Sequence, residues 1–270
     1  MEQVKDLNVL DRAELIARQQ PQVLRDVVAD ACDVSQHALS HALLSGLGCR
    51  EVVTTNFDRC FELADADQHV RVLPWEAPNP GAPWLLKMHG DVRHPESIVL
   101  TRGDFATYDA RYRPAASVLQ ALILTRHVLF VGASMTDDNV LRLAYEVSRL
   151  RQDHHLSHQW GTVLDVGRSD AKRALYARDL AWVSFDGESL QDRARQLEIF
   201  LDVVTCYATD DSSWLLDPDF APLDPEGAQV ARELRKLVPD IRRLAAHNPA
   251  WTRIAETLGR HGAGEGGVSR

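Results

Sequence analysis

The sequence predicts an α/β fold, with a mainly parallel, doubly wound sheet, flanking helices and a small C-terminal helical appendage. Short apolar runs such as Glu51-Val52-Val53-Thr54 and His127-Val128-Leu129-Phe130-Val131 are of the continuous kind that parallel sheets bury on both faces. They alternate with longer stretches of helical period. Three of the runs close on polar clusters: Thr54-Thr55-Asn56-Phe57-Asp58, then Met88-His89-Gly90-Asp91, then Gly132-Ala133-Ser134 followed by Asp137-Asp138-Asn139. Open α/β sheets bind ligands beyond the carboxyl ends of their strands, so this placement points to nucleotide chemistry.

Element by element, residues 9–45 read as helices, because Leu10, Leu15 and Ile16, then Val23, Leu24, Val27, Val28 and Ala31, recur at helical spacing. Gly46-Leu47-Gly48 ends this part, and the strand 51–54 follows. Phe57 to Ala66 reads as a helix with Asp58 near its first turn, where capping is the plain structural account of a carboxylate. Leu73 to Pro83 holds Pro74, Pro78, Pro80 and Pro83 and reads as a loop. Trp84 to Met88 is a strand that delivers His89-Gly90, and Ile98-Val99-Leu100 is a third short apolar run.

Thr101 to Tyr112 reads as a capped helix at the rim of a pocket, and 114–126 as the next helix. The strand 127–131, the turn 132–134 and a helix opened by Asp138-Asn139 come next. Strands at 161–166 and 181–186 then alternate with helices at 169–178 and 188–206. The domain plan is therefore 1–207 for the main α/β domain, 208–225 for an acidic, proline-rich linker, 226–258 for a helical appendage and 259–270 for a disordered tail. Val230, Leu234, Leu237, Ile241 and Leu244 form a narrow apolar seam in the appendage, suited to packing on the main domain or to self-association.

Of the 270 residues, 45% are hydrophobic and 26% charged, the composition of an ordinary globular protein. The net charge of −9, with no Lys/Arg run, argues against nucleic acid as a partner. No stretch approaches the ~18 apolar residues of a spanning helix, and the N-terminus has no signal-peptide core, so the expected place is the cytoplasm with no membrane partner. Cys32, Cys49, Cys60 and Cys206 form no C-x-x-C pair, against both a zinc ribbon and a disulfide framework. His154 and His158 have the spacing of a helical metal site, but their polar surroundings read as a solvated loop, and no metal is expected.

Val53-Thr54-Thr55-Asn56-Phe57-Asp58, Lys87-Met88-His89-Gly90-Asp91, Ile98-Val99-Leu100-Thr101 and Phe130-Val131-Gly132-Ala133-Ser134 with Asp137-Asp138-Asn139 together resemble the sirtuin-like domain, in its bacterial, zinc-free branch. The resemblance spans about residues 37–206. It implies a Rossmann-like sheet that takes NAD as substrate, and a branch that includes NAD hydrolases of anti-phage defence. By position, it makes Asn56 the amide at the nicotinamide-side ribose and the attacking water, Asp58 a holder of nicotinamide and His89 a general base. Thr54, Thr55, Gly132 and Ser134 would bind the cofactor's ribose and phosphates, and Asp186 its adenosine side. Such a set suits cleavage of the nicotinamide–ribose bond, whose oxocarbenium-like transition state needs orientation and charge stabilisation without a metal.

The sequence departs from the family in two places. Residues 91–131 contain no cysteine, whereas the protein-deacylase branch carries a four-cysteine zinc module there, so deacylation is disfavoured. The family also opens with a strand and a Gly-Ala-Gly-x-Ser loop that cradles pyrophosphate, yet no glycine precedes Gly46. That strand belongs mid-sheet, so its absence predicts two unpaired neighbours. Truncation ahead of Met1 is the favoured account; a strand from a partner chain or second copy, or a rearranged sheet, are the others. NAD hydrolysis to nicotinamide and ADP-ribose is the expected function, with a non-catalytic NAD- or ADP-ribose-binding sensor or scaffold as the alternative.

Overall fold

A computed structural model describes residues 6–65, 70–167, 169–208, 215–216 and 225–263. The chain divides into two compact units, Met1–Val204 and Thr205–Arg270.

The first unit begins with three helices: α1 (Val9–Gln19), α2 (Pro21–Cys32) and α3 (Leu39–Gly46). Asn8 starts α1 by accepting the Asp11 N–H on its side-chain oxygen at 3.0 Å, so one otherwise orphaned helix donor is satisfied. Strand β1 (Glu51–Thr54) follows, then the short helix α4 (Cys60–Ala64) and strands β2 (Arg71–Leu73) and β3 (Trp84–Lys87). Next come α5 (Arg102–Ala106), α6 (Tyr108–Thr125), β4 (Val128–Val131), α7 (Asp138–Asp153), β5 (Gly161–Asp165), α8 (Asp170–Tyr176), β6 (Leu180–Ser184) and α9 (Leu190–Ala208).

All strand pairs are parallel, as the continuous apolar runs require, but they form two three-stranded sheets, β1-β3-β2 and β4-β5-β6, where a single sheet was expected. Among the described residues β1 pairs with β3 alone and β4 with β5 alone. Each thus has one edge without a strand neighbour, as β2 and β6 do. β1 and β4 start near one another, since Arg126, just ahead of β4, reaches Glu51 of β1 at 3.1 Å. The two half-sheets also share a core in which Val53, Leu86, Val128, Phe130 and Val163 pack with Tyr108, Ile123, Leu143 and Leu180.

Two local readings need correction. Arg71–Leu73 is a strand where only a loop from Leu73 was read; three residues bounded by Pro74 leave too short a period to register. The helix expected from Phe57 begins only at Cys60, because the Asp58 carboxylate accepts the Cys60 N–H at 2.9 Å and holds the preceding residues in a turn. The run Ile98-Val99-Leu100 joins no sheet; it is buried against the loop after β3, with the Val99 N–H donating to the His89 carbonyl at 2.9 Å. The break read between 112 and 114 is present as a non-helical Tyr112 within α6, ahead of Pro114.

In the second unit, α10 (Pro225–Ala245) and α11 (Pro249–Arg260) form a helical hairpin whose core includes Leu216, Ala231, Val238 and Ala263. α10 continues through Pro239 without a break in assignment, and α11 runs through Gly259, slightly past the expected end of the appendage. The linker at 208–225 lies mostly outside the described residues; of the tail expected at 259–270, Gly259 and Arg260 belong instead to α11, and 264–270 lie outside the described residues.

Gly90 shows how closely the loop after β3 is built. Its φ is +96°, and an added Cβ would stand 2.5–2.7 Å from the backbone of Ser97 and Ile98. Backbone cannot move aside as a side-chain tip can. Gly90→Ala is therefore expected to cost about 2–4 kcal/mol, read as a lowered urea midpoint. An unchanged midpoint would mean that the 95–98 turn is free to shift.

Candidate active site

The parallel strands of the two sheets carry three loops, after β1, β3 and β4. The loop after β1 carries Thr54, Thr55, Asn56 and Asp58. Thr54 folds back on it, its hydroxyl oxygen accepting the Asn56 N–H at 3.0 Å, and Asn56 is left exposed. The loop after β3 carries His89, and the two are stitched by backbone bonds from Met88 N–H to Thr54 O and from Val92 N–H to Phe57 O, both 2.9 Å.

Beneath them lies a buried ionic cluster that sequence reasoning missed. Lys87, the last residue of β3, is fully buried; its ammonium donates to the Asp58 carbonyl at 2.6 Å and meets Glu62 at 2.7 Å and Asp91 at 2.9 Å. It thereby ties the Asn56–Asp58 loop, helix α4 and the His89 loop at one point. Burial pushes the Asp91 carboxyl up, but hydrogen bonds from Arg93 and Lys87 and the Lys87 charge outweigh it, and the group stays below its ordinary range. The only sequence signal was a lysine closing an otherwise apolar run, four residues ahead of an aspartate.

His89 is 5% exposed and sits edge-on to the rings of Phe105 and Tyr108, at centroid distances of 5.4 and 5.8 Å. The Tyr108 hydroxyl is engaged elsewhere, donating to the Met88 carbonyl at 3.0 Å. Desolvation lowers the His89 pKa from its ordinary value, with Asp137 opposing the shift. The imidazole is therefore neutral at physiological pH and able to accept a proton. Its Nε2 lies 3.3 Å from the Asp137 carboxylate, out of line for a hydrogen bond.

Asp137 comes from the third loop, after β4, as the N-cap of α7, and its Oδ1 accepts the Asn139 and Val140 N–H groups at 3.0 and 3.1 Å. In the same loop Gly132 has φ +67° with open space around its missing Cβ, and Ser134 is exposed, its hydroxyl 2.6 Å from that of Thr136. The structure thus stitches the Asn56–Asp58 and His89 loops together and brings Asp137 of the Gly132–Ser134 loop against His89. Asp186 comes from elsewhere in the topology. That residue follows β6, the outer strand of its sheet, two strand positions or about 10 Å beyond β4.

Cys60 takes no part, since burial, then Asp58, push its thiol up to about 11. His154 caps the end of α7 and His155 to His158 lie in the loop beyond it, off any helix. Among the described residues no three His, Cys, Asp or Glu side chains are grouped to hold a metal, and no helix is long and apolar enough to cross a membrane.

Residues 50–181 match the SIR2-like domain family, a stretch that includes every loop of this site but not Asp186. The chain is 32% identical over 138 residues to the NAD(+) hydrolase ThsA of Bacillus cereus (strain MSX-D12), covering 48% of this chain and 28% of that protein. It is 28% identical over 145 residues to the NAD(+) hydrolase ThsA of Enterococcus faecium, covering 51% and 30%. Defense-associated sirtuin 2 of Bacillus subtilis is 28% identical over 121 residues, covering 42% and 12%. The matched stretch thus spans less than a third of each relative's length. Parallel strands, the Asn-x-Asp and His-Gly loops and the family match agree, and residues 50–181 of this chain match a SIR2-like domain similar to these bacterial proteins.

Proposed function

We propose that this domain hydrolyses NAD to nicotinamide and ADP-ribose, as part of a bacterial anti-phage defence protein. The observation that carries the reading is the stitching of the Asn56–Asp58 loop to the loop of a buried His89, with Asp137 from the loop after β4 set against it, in a stretch shared with proteins named NAD(+) hydrolase.

In this reading the C1′–N bond breaks with its electron pair passing to the pyridinium nitrogen, which leaves as neutral nicotinamide. Asn56 orients water on the ribose face, and the oxocarbenium carbon takes the water oxygen. The water proton goes to His89 at the ring nitrogen turned away from Asp137. Asp58 holds nicotinamide, Thr54, Thr55, Gly132 and Ser134 hold ribose and phosphate, and Asp186 serves the adenosine end. None of these steps calls for a metal, and the cytoplasm, where NAD is abundant, is the proposed location.

The unpaired edges of β1 and β4 favour a further element. An extended apolar strand from a partner chain or a second copy pairs with both and adds the backbone donors that the pyrophosphate needs. The spacing supports one strand: parallel strands lie about 4.8 Å apart, so one insertion separates β1 and β4 by ~10 Å, within reach of the Arg126–Glu51 pair. The same edges favour, as a second reading, a module that binds NAD or ADP-ribose without cleaving it.

Nicotinamide release from NAD, measured by chromatography in buffer containing a chelator, tests the proposal. Equal amounts of nicotinamide and ADP-ribose, lost with Asn56→Ala, are expected. Calorimetric binding of NAD without release would select the second reading, and neither binding nor release would overturn both.

A further inference from the structure

We propose that Asp137 is the positioning residue of His89, holding the imidazole with Nε2–H toward its carboxylate so that Nδ1 faces the substrate, and balancing the imidazolium formed when water gives up its proton. The inference rests on the proposed hydrolase reading for its catalytic meaning, but the pairing of Asp137 with His89 can be tested without it.

The two carboxylate oxygens of Asp137 divide their work. Oδ1 accepts the first free N–H groups of α7, and Oδ2 stands 3.3 Å from His89 Nε2. Capping by Oδ1 and the α7 dipole account for a carboxylate at this position, but neither requires the second oxygen to stand against a histidine from another loop. His89 Nε2 is buried and has no hydrogen-bond partner in the resting arrangement. A buried imidazole nitrogen beside a carboxylate, just off hydrogen-bond alignment, is what a resting base and its orienting group look like before substrate closes the site.

The electrostatics agree. Protonating His89 would place a positive charge in a desolvated position next to the positive end of the α7 dipole, and the negative charge within reach is Asp137. From α6 the ring faces Tyr108, whose phenol is pushed up, by burial first and Asp137 next, and stays neutral. Phe105 from α5 carries no charge, and the 97–99 segment contributes the Val99 N–H to the His89 carbonyl. In serine hydrolases the corresponding carboxylate fixes the tautomer of the base and stabilises its cation without taking the proton.

The test uses Asp137→Asn and Asp137→Ser, both of which keep a cap for α7. The His89 ring is titrated by NMR, with His89→Gln assigning its signals among the eleven histidines. Loss of the carboxylate is expected to move the His89 midpoint down by about 1 in pH in both variants, with the melting temperature retained. In the nicotinamide-release assay kcat is expected to fall about 10- to 100-fold while KM for NAD changes less than about threefold, and the acid limb moves down with the midpoint. A midpoint unchanged in both folded variants overturns the proposal whatever the activity. A shifted midpoint in a chain that releases no nicotinamide keeps the pairing and removes the hydrolase reading instead.

Discussion

Lys87→Met is expected to destabilise the Met1–Val204 unit by about 3–5 kcal/mol, enough to consume much of an ordinary domain's stability. Methionine fits the space of a lysine stem, so packing is nearly kept and the loss is electrostatic. The ammonium that now meets Glu62, Asp91 and the Asp58 carbonyl disappears, leaving two carboxylates and a carbonyl oxygen with only the half-exposed Arg93 as cation. Adding Glu62→Gln should restore part of the loss, because one uncompensated charge is removed. Urea midpoints of the single and double variants read this directly. A double variant no more stable than the single would show that the cost is not one of unpaired charge. Acid should act on the same cluster: Asp91 titrates below its unfolded value of about 3.8, so its stabilisation is present above that pH and lost as pH falls through the folded value.

This cluster also marks where the sequence stopped being readable. β1 and β3 to β6, the long helices and the Asn-x-Asp, His-Gly and Gly-x-Ser loops were legible because each rests on local chemistry, a continuous apolar run or a helical period ending in a turn. β2 was not, because three residues before a proline carry too little period, and its pairing with β3 depends on partners thirteen residues away. Lys87 read as the polar end of a strand, since nothing local says that Glu62 from α4 will meet it. Asp137 was visible within its cluster, ahead of the Asp138-Asn139 read as opening a helix; that its second oxygen faces a histidine from another loop is tertiary information. The sheet was half legible. The missing glycines implied strands lacking a neighbour, and β1 and β4 each pair on one side only, but the sequence does not show that the two lie near each other, whereas the Arg126–Glu51 contact does.

His89→Ala is expected to lower kcat for nicotinamide release by about 10²–10⁴-fold, the contribution of a positioned general base. The wild-type pH profile should show why. Burial holds the His89 pKa below 6.5 against the pull of Asp137, so the base is neutral and activity is flat at neutral pH, and the acid limb falls below pH 6.5 as the ring takes a proton. His89→Ala should remove that limb along with most of the rate. Folding carries the same signature with a definite sign. Below pH 6.5 the unfolded chain binds a proton at this residue more readily than the folded one, so the histidine lowers stability as pH falls, and the variant should lose that slope. Because Phe105 and Tyr108 pack on the ring, His89→Gln is the companion that keeps most of the volume while removing the titration. Should His89→Gln hold its melting temperature and still cleave NAD at the wild-type rate, the proton must go elsewhere, and the buried imidazole would be a packing element between β3 and α6.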